Sequence, residues 1–228
     1  MKSQDLKSNI LFHLSSKTES VAHGFTNLFH ARRLENASVA TAGQINTHMT
    51  LAELNTLYDL AKDLGSSAKV LEIGSYLGAS SCFLAAALSM QNGQLFCVDT
   101  WQNETMPEGE YKTFLEFQKN ISGVANHITC VKKNSRDLVE SDISLPLNLV
   151  FIDGNHSYEF VKNDYEVVSS WIVDRGILAF HDCIHFSGVS RTIGEALASG
   201  IWQIGGHVDN LLWLTKVESG FLGFTHPL

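Results

Sequence analysis

The sequence predicts an α/β protein built on one doubly wound, mostly parallel sheet. Residues 70–84 begin as a short apolar run, turn on Gly74 and Gly78, and continue as a helix of small residues. Further along the chain, short apolar runs end in Asp99 and in Asp153, and segments with apolar residues at helical spacing lie between them. Strands that alternate with helices in this way are typical of parallel sheets, which bind ligands beyond the carboxyl ends of their strands.

The other elements are predicted from apolar spacing and from capping signals. Thr50 and Glu53 have the spacing of a capping box, which predicts a helix from there to about residue 64. After a first strand that begins at Lys69, strands are expected at 94–98, 127–131 and 147–152 and from Gly176, and helices at 111–121, 157–172 and 189–198. Two closing strands are expected at 202–204 and 211–215, with turn residues at Gly205-Gly206 and Asp209-Asn210 between them.

The first 48 residues carry the weakest signals. Residues 1–48 are interpreted as an N-terminal helical cap or lid segment on a domain that spans residues 49–228. Two cap helices are expected where apolar residues have helical spacing, at Leu6, Ile10, Leu11 and Leu14 and again at Phe25, Leu28, Phe29 and Leu34. Residues 36–47 are small and polar and predict a loop, which is either part of the cap or a lid that brings His48 and Met49 near a ligand.

Composition limits the class of protein. The 228 residues are enough for one α/β domain with a sizeable core, and a net charge of −8 argues against a broad nucleic-acid-binding surface. Cys82, Cys97 and Cys130 lie among apolar residues, which indicates buried thiols in a reducing compartment. No apolar run reaches the length of a membrane span, and the N-terminus lacks the apolar core of a signal peptide. These observations predict a soluble protein of the cytoplasm.

The glycine turn carries the first functional signal. Glycine at positions 74 and 78 would let the backbone approach a ligand closely, and the helix that follows presents free N–H groups. The spacing is G-x-x-x-G with Glu72 two residues before it, whereas the dinucleotide fingerprint is G-x-G-x-x-G. A carboxylate at this point suits a positively charged ligand better than a pyrophosphate.

The run E-I-G-S-Y-L-G-A-S at 72–80 resembles motif I of the class I S-adenosylmethionine-dependent methyltransferases. It is most similar to the small-molecule O-methyltransferases of the catechol type and of the macrolide and sugar type. The resemblance covers about residues 43–217 and implies a Rossmann-like sheet of seven strands whose last strand is antiparallel. It also implies that the methionine part of S-adenosyl-L-methionine is held by Glu72, Gly74, Ser75, Tyr76, Gly78 and Ser80.

Three residues that follow the second and third strands are candidates for the adenosine part of the cofactor. Asp99 ends the second strand, where a carboxylate can accept hydrogen bonds from both ribose hydroxyls; otherwise it is a turn or cap residue. Trp101 could stack on adenine. The resemblance implies that Ser135 contacts adenine, and the alternative is that Ser135 caps a short helix at 136–140.

Two successive strands each end in an aspartate with a histidine nearby. Asp153 follows the fourth strand with His156 three residues on, and His181 and Asp182 follow the fifth strand. All four should meet at one edge of the sheet, where carboxylates and imidazoles form either a divalent metal site or a general base with its partner. Each has a simpler explanation as well: His156 as a helix cap, His181 as a core residue, and Asp153 as a contact to the cofactor alone.

The resemblance suggests how these residues divide the work. Catechol-type enzymes have D-x-x-K after the fourth strand, supplying a metal ligand and the base, so His156 stands in the position of the base. They have Asp-Asn after the fifth strand, where this chain has Asp182-Cys183; the macrolide-sugar and related cephalosporin-hydroxylase groups have two acids, matching His181-Asp182. Cys183 is a poor ligand for Mg²⁺, and His181 suits Mn²⁺, Fe²⁺ or Zn²⁺ better. The expected metal ligands are Asp153, Asp182 and His181.

The resemblance and the residues together predict an S-adenosylmethionine-dependent methyltransferase that methylates a hydroxyl group of a small-molecule acceptor, a sugar or a phenol. His156 and Asp153 are the expected catalytic residues, and a divalent metal, Mg²⁺ or Mn²⁺, would lower the pKa of the acceptor hydroxyl. Two alternatives stay open: an NAD-linked oxidoreductase on the same sheet, and a protein that binds the cofactor without turnover. The sequence also leaves open whether the protein is a homo-oligomer.

Overall fold

The computed structural model describes residues 31–103, 109 and 111–218. The strands are β1 (Lys69–Ile73), β2 (Gln94–Asp99), β3 (Ile128–Lys132), β4 (Leu147–Ile152), β5 (Ile172–Phe180), β6 (Trp202–Val208) and β7 (Leu211–Lys216). They form one seven-stranded sheet in the order β3-β2-β1-β4-β5-β7-β6. β1 to β5 pair in parallel, and β7 lies antiparallel between β5 and β6. The predicted sheet, with its antiparallel last strand, is confirmed.

Helices cover both faces of the sheet, as a doubly wound fold requires. Those bounded within the described residues are α1 (Leu51–Lys62), α2 (Ala79–Ser89), α3 (Phe114–Asn120), α4 (Tyr158–Ser169) and α5 (Ser187–Ala198). α1, α2 and α3 share one apolar core, in which Leu57, Phe83 and Phe117 are fully buried. α4 and α5 cover the opposite face, where Val168 and Val189 lie in a second core. Burial of both faces explains why the central strands are almost entirely apolar.

The capping box at the start of α1 is confirmed. The Thr50 hydroxyl accepts a hydrogen bond from the backbone N–H of Glu53, and the Glu53 carboxylate accepts one from the N–H of Thr50. Ahead of α1, residues 31–36 are helical, and Leu34 and Val39 pack into the core that contains α1 and α2. The first predicted cap helix and most of the second lie outside the described residues, so the division at residue 48 stays a prediction.

The start of the fifth strand differs from its prediction. The helix expected to reach residue 172 ends at Ser169, and β5 begins at Ile172, because Ile172 pairs with Leu147 of β4. Gly176, which the sequence predicts at the start of the strand, lies inside it, close to a shift of the β4–β5 register. A Cβ on Gly176 would lie 2.4 Å from the side chain of Ile172, so the packing leaves no room for a side chain at this position.

The glycines predicted to separate the last two strands also lie inside a strand. Gly205 and Gly206 belong to β6, and a Cβ on Gly206 would lie 2.3 Å from the indole ring of Trp213 on β7. These glycines make room for the tryptophan across the strand pair, and the turn is left to Asp209 and Asn210. Smaller differences are the later start of α3 and of β3, and two 3-10 turns, Ser135–Asp137 and Glu140–Asp142, in place of a helix at 136–140.

Two findings bear on the environment of the protein. All four cysteines carry free thiols; Cys82 and Cys97 are buried as predicted, but Cys130 is exposed. The prediction for Cys130 was wrong because β3 is an edge strand of the sheet, with side chains that other elements do not cover. In the part of the chain that the structure describes, no helix has the length and apolar character needed to cross a membrane.

Candidate active site

A cavity of about 730 Å³ lies at the carboxyl edge of the sheet. Residues at the carboxyl ends of β1 to β5 and in the turns after them supply its walls; one from each strand end is Ser75, Asp99, Ser135, Asp153 or Asp182. Residues 46–48, just before α1, close another side. Parallel strands bring five chain segments to one edge, which is why residues far apart in the sequence share this cavity.

The glycine turn forms one wall of the cavity, for a reason different from the one expected. Gly74 and Gly78 have left-handed backbone conformations, with φ of +90° and +88°. A Cβ on Gly74 would lie 2.1 Å from the carbonyl oxygen of Asp153, and a Cβ on Gly78 would lie 3.0 Å from side-chain carbons of Phe117 and Ile121. Neighbouring parts of the protein therefore require these glycines. Gly74 lines the cavity, whereas Gly78 lies outside its lining and precedes α2 as the N-cap.

Glu72 lies beneath the turn and is fully buried. Its carboxylate accepts hydrogen bonds from the hydroxyls of Ser75 at 2.7 Å, Ser80 at 2.6 Å and Ser81. Burial raises the pKa of Glu72, and the hydroxyl donors oppose that shift because they stabilise the charged form. Ser75, Tyr76 and Ser80 line the cavity but Glu72 does not, so its carboxylate supports the turn instead of reaching the ligand space as expected.

Asp99 lines the cavity at the end of β2. One of its oxygens accepts hydrogen bonds from the backbone N–H groups of Ser75 at 2.8 Å and Tyr76 at 2.9 Å. The other accepts from the backbone N–H of Trp101 at 2.6 Å. The carboxylate thus ties the glycine turn to β2 and faces the ligand space as well.

Trp101 does not line the cavity, contrary to the expected stacking on adenine. Its ring is 1% exposed and packs against Phe114 and Phe117, with ring centroids 4.8 Å and 4.9 Å away. The indole is part of the core because the aromatic side chains of α3 cover it. Asn103 lines the cavity two residues later, and within the described residues its Oδ1 has no hydrogen-bond partner.

Ser135 lines the cavity, and its alternative as a helix cap was wrong. The N-cap is Asn134, whose side chain accepts a hydrogen bond from the backbone N–H of Arg136 at 3.0 Å. Phe160 of α4 lines the same end, with the Arg136 guanidinium 3.4 Å from its ring centroid. Behind Ser135 lies Asp164, whose pKa burial raises to about 6, while the nearby Ser135 hydroxyl opposes the shift.

The four residues at the ends of β4 and β5 meet as expected. Nδ1 of His181 lies 3.2 Å from Oδ1 of Asp153 and 3.4 Å from Oδ2 of Asp182. Nε2 of His156 lies 3.1 Å from Oδ2 of Asp182 and 3.8 Å from Oδ1 of Asp153. His181 is 2% exposed, while Asp153, His156 and Asp182 line the cavity. The structure thus brings the four side chains together, while their catalytic and metal-binding roles stay predictions.

The charges in this cluster favour a cation. Burial alone would lower the pKa of His181, but Asp153, Asp182 and Glu53 lie around the ring and raise its pKa to about 12. Burial likewise works to raise the pKa of Asp153, yet that pKa is lowered because His156 and His181 stabilise its carboxylate. Three carboxylates around one imidazole form a site with an excess of negative charge, which a positive ion or proton balances.

The donor set fits a divalent metal. One ligand atom from each of Asp153, His181 and Asp182 lies within 4.8 Å of the others. Nδ1 of His181 and Nε2 of His156 are buried, and within the described residues they make no well-aligned hydrogen bond. Two carboxylates and an imidazole suit Mn²⁺, Fe²⁺ or Zn²⁺ as well as Mg²⁺. Cys183 is not part of this group.

Aromatic rings line the cavity at the cluster and at the glycine turn. The rings of Phe186 and His156 are tilted, with centroids 4.3 Å apart. At the glycine turn, the ring of His48 lies edge-on to that of Tyr76, with centroids 6.5 Å apart. His48 lines the cavity, as the lid interpretation expects, whereas Met49 is buried in the core.

The family described as Methyltransferase domain matches residues 71–183, from β1 to the turn after β5. The matched segment includes the glycine turn and the whole cluster of aspartates and histidines. The chain belongs to the class I S-adenosylmethionine-dependent methyltransferases. This assignment replaces the alternative of an NAD-linked oxidoreductase.

Solved structures share the fold of this methyltransferase. An O-methyltransferase from Bacillus cereus, in complex with SAH, is 15% identical, covers 82% of this chain and 91% of its own, and has a TM-score of 0.62. The O-methyltransferase TomG from Streptomyces achromogenes, in complex with SAM and involved in tomaymycin synthesis, is 17% identical. The match covers 81% of this chain and 89% of the TomG chain, with a TM-score of 0.54. An rRNA methylase from Streptococcus thermophilus is 10% identical. The match covers 76% of this chain and 100% of the methylase chain, with a TM-score of 0.54. At these identities the likeness establishes the fold and leaves the acceptor open.

Sequence reasoning missed several residues of the methyltransferase cavity, among them Asn103, Thr113, Lys133, Asn155, Phe160 and Phe186. They lie in loops or on a helix face, where no short motif marks them. The sequence predicts only a capping-box role for Glu53, although its Oε2 lies 3.3 Å from Nε2 of His181. The only sequence signal at Glu53 is the capping-box pattern, and a helix cap is enough to account for that pattern.

Proposed function

We propose that the protein transfers the methyl group of S-adenosylmethionine to a hydroxyl oxygen of a small-molecule acceptor, with a divalent metal in the cluster at the ends of β4 and β5. One observation carries this proposal: a single cavity joins the glycine turn to Asp153, His156 and Asp182. Cofactor and acceptor would then lie side by side. Such alignment of reacting groups is the main contribution that a protein makes to this kind of transfer.

The cofactor end is formed by the first three turns. Gly74, Ser75, Tyr76 and Ser80 would hold the methionine part, and Asp99, Asn103 and Ser135 the adenosine part. Oδ1 of Asn103, which has no hydrogen-bond partner among the described residues, and the carboxylate of Asp99, which lines the cavity, fit a ligand rich in hydroxyl and amino donors. Glu72, Gly78 and Trp101 act on this end indirectly, because they shape the walls without lining them. When bound, S-adenosylmethionine supplies a methyl group already activated by its sulfonium.

The cluster end would deprotonate the acceptor. Asp153, Asp182 and His181 would hold the metal, which as a Lewis acid would make the acceptor hydroxyl easier to ionise. Because Nε2 of His156 faces Asp182 at 3.1 Å, the other ring nitrogen, Nδ1, would take the hydroxyl proton as the acceptor oxygen attacks the methyl carbon. Asp182 and Asp153 then stabilise the imidazolium that forms, since their carboxylates lie beside the ring.

The acceptor is proposed to be a small phenol or sugar. The cavity of about 730 Å³ must hold both substrates, and the ring of Phe186 next to His156 offers a flat apolar face beside the cluster. A net charge of −8 disfavours a nucleic acid as acceptor, even though an rRNA methylase shares the fold. Four free thiols agree with a reducing compartment, for which we propose the cytoplasm.

The test is a transfer assay with S-adenosylmethionine labelled at its methyl group. We expect label to appear in an O-methyl product when Mn²⁺ or Mg²⁺ and a panel of catechols, simple phenols and sugars are supplied. Matched acceptors with the hydroxyl replaced by hydrogen serve as controls and should stay unlabelled. Label that enters amine or thiol acceptors, and no hydroxyl acceptor in the panel, would contradict the proposal.

A further inference from the structure

Glu53 is a buried acid that joins three separate parts of the protein. It is 1% exposed, although it lies in the first turn of α1, where a capping acid is commonly solvated. Its Oε1 accepts a hydrogen bond from the backbone N–H of Asn210 at 2.7 Å, and its Oε2 accepts one from the N–H of Thr50 at 2.7 Å. The same Oε2 lies 3.3 Å from Nε2 of His181. Capping alone explains only one of these three contacts.

We propose that Glu53 is a positioning residue that orients His181 as a metal ligand. This inference rests on the proposed metal site. The two ring nitrogens of His181 face opposite partners: Nε2 faces Glu53, and Nδ1 faces the carboxylates of Asp153 and Asp182. A histidine that binds a metal through one nitrogen usually donates its other N–H to a carboxylate, a backbone carbonyl or a water, which fixes the ring and the tautomer. Glu53 stands where that carboxylate is needed.

The surroundings of Glu53 hold it in this place. Thr50 anchors one oxygen and also donates its hydroxyl to Asp209 at 2.7 Å, while Asn210 anchors the other oxygen. The start of α1 and the β6–β7 turn therefore grip the carboxylate from two sides. The contact to His181 is at ion-pair distance and not yet a well-aligned hydrogen bond, so we expect metal binding at Nδ1 to tighten it.

Glu53→Gln is a sharp test because an amide cannot replace this carboxylate. The N–H groups of Thr50 and Asn210 donate to the two oxygens and Nε2 of His181 lies beside one of them, whereas glutamine offers one oxygen and one NH₂ group. If the amide oxygen accepts from the N–H of Asn210, the amide NH₂ group faces the N–H of Thr50 and Nε2 of His181, and nothing there accepts from it. If the amide is flipped, the N–H of Asn210 loses its acceptor. Titration with Mn²⁺ alone, by calorimetry, should show an affinity roughly 10–100-fold weaker than that of the wild type.

The matched control is Thr50→Ala, which damages the same helix cap but leaves the Glu53 carboxylate in place. It should lower Tm by roughly 2–4 °C and leave the Mn²⁺ affinity within about twofold of the wild type. A second control combines Glu53→Gln with His181→Asn. If Glu53 acts through His181, it should have no further effect on Mn²⁺ affinity in that background.

A measurement on the wild type alone keeps the inference testable if Glu53→Gln fails to fold. In the Zn²⁺-loaded protein, the ¹⁵N NMR signals of His181 should show Nδ1 bound to metal and Nε2 protonated. Metal on Nε2, or wild-type Mn²⁺ affinity in a folded Glu53→Gln protein, would overturn the inference. A wild type that binds S-adenosylmethionine and no Mn²⁺ or Zn²⁺ would overturn it too, while leaving methyl transfer by His156 in place.

Discussion

Replacement of His156 by alanine is expected to slow methyl transfer by roughly 10²–10⁴-fold, the usual contribution of a general base. The imidazole lines the cavity and lies 3.1 Å from Oδ2 of Asp182, so the variant would lose the group that takes the hydroxyl proton. The affinity for S-adenosylhomocysteine should stay close to that of the wild type, because His156 lies at the cluster end of the cavity. The measurement is a single-turnover rate with saturating cofactor.

His185→Ala is the matched control for this experiment. His185 is exposed on the loop after β5 and does not line the cavity, so its replacement should leave the rate unchanged. A His156→Ala protein that turns over at the wild-type rate would show that another group, or water alone, removes the proton. In that case the imidazole would only pack against Phe186.

Removal of the metal is expected to lower the rate by roughly 10²-fold or more, because a Lewis acid contributes several kcal/mol to stabilising the developing charge. Treatment with a chelator should have this effect, and added Mn²⁺ or Mg²⁺ should reverse it. Asp182→Ala should behave like the chelated wild type and resist rescue, since one of the clustered ligand atoms is gone. Cofactor affinity, measured separately, should be largely preserved in both.

Asp63→Ala controls for the loss of a negative charge, because Asp63 is an exposed acid at the end of α1, outside the cavity. It should respond to chelation and to added metal as the wild type does. A wild type whose rate is indifferent to chelation would rule out a metal-assisted reaction. The cluster would then serve to orient His156 through its two carboxylates.

Much of the fold could be predicted because strands and helices alternate and because the strands have clear apolar runs. The failures have local physical causes. Gly176, Gly205 and Gly206 look like turn residues in the sequence, but they lie in strands where the side chains of Ile172 and Trp213 need the space. Packing of this kind depends on which strands become neighbours, and a single sequence does not reveal that.

The candidate site was predictable where backbone geometry determines it. Asp153 and Asp182 had to come close because β4 and β5 are adjacent parallel strands that end at the same edge. The orientation of single side chains was harder to predict. Trp101 follows a strand end as a cofactor residue would, yet its ring packs into the core. Glu53 lies far from the cluster in sequence, and only the assembled fold brings it to His181.

The central claim is that this cavity binds S-adenosylmethionine, and a thermal-shift comparison of S-adenosylmethionine, S-adenosylhomocysteine and NAD tests it most directly. At about 100 times its dissociation constant, a ligand that binds only the folded state adds about 2.7 kcal/mol of stability, which for a chain of this length raises Tm by roughly 5–10 °C. We expect that rise with S-adenosylmethionine and S-adenosylhomocysteine and no rise with NAD. A rise with NAD alone would contradict the account.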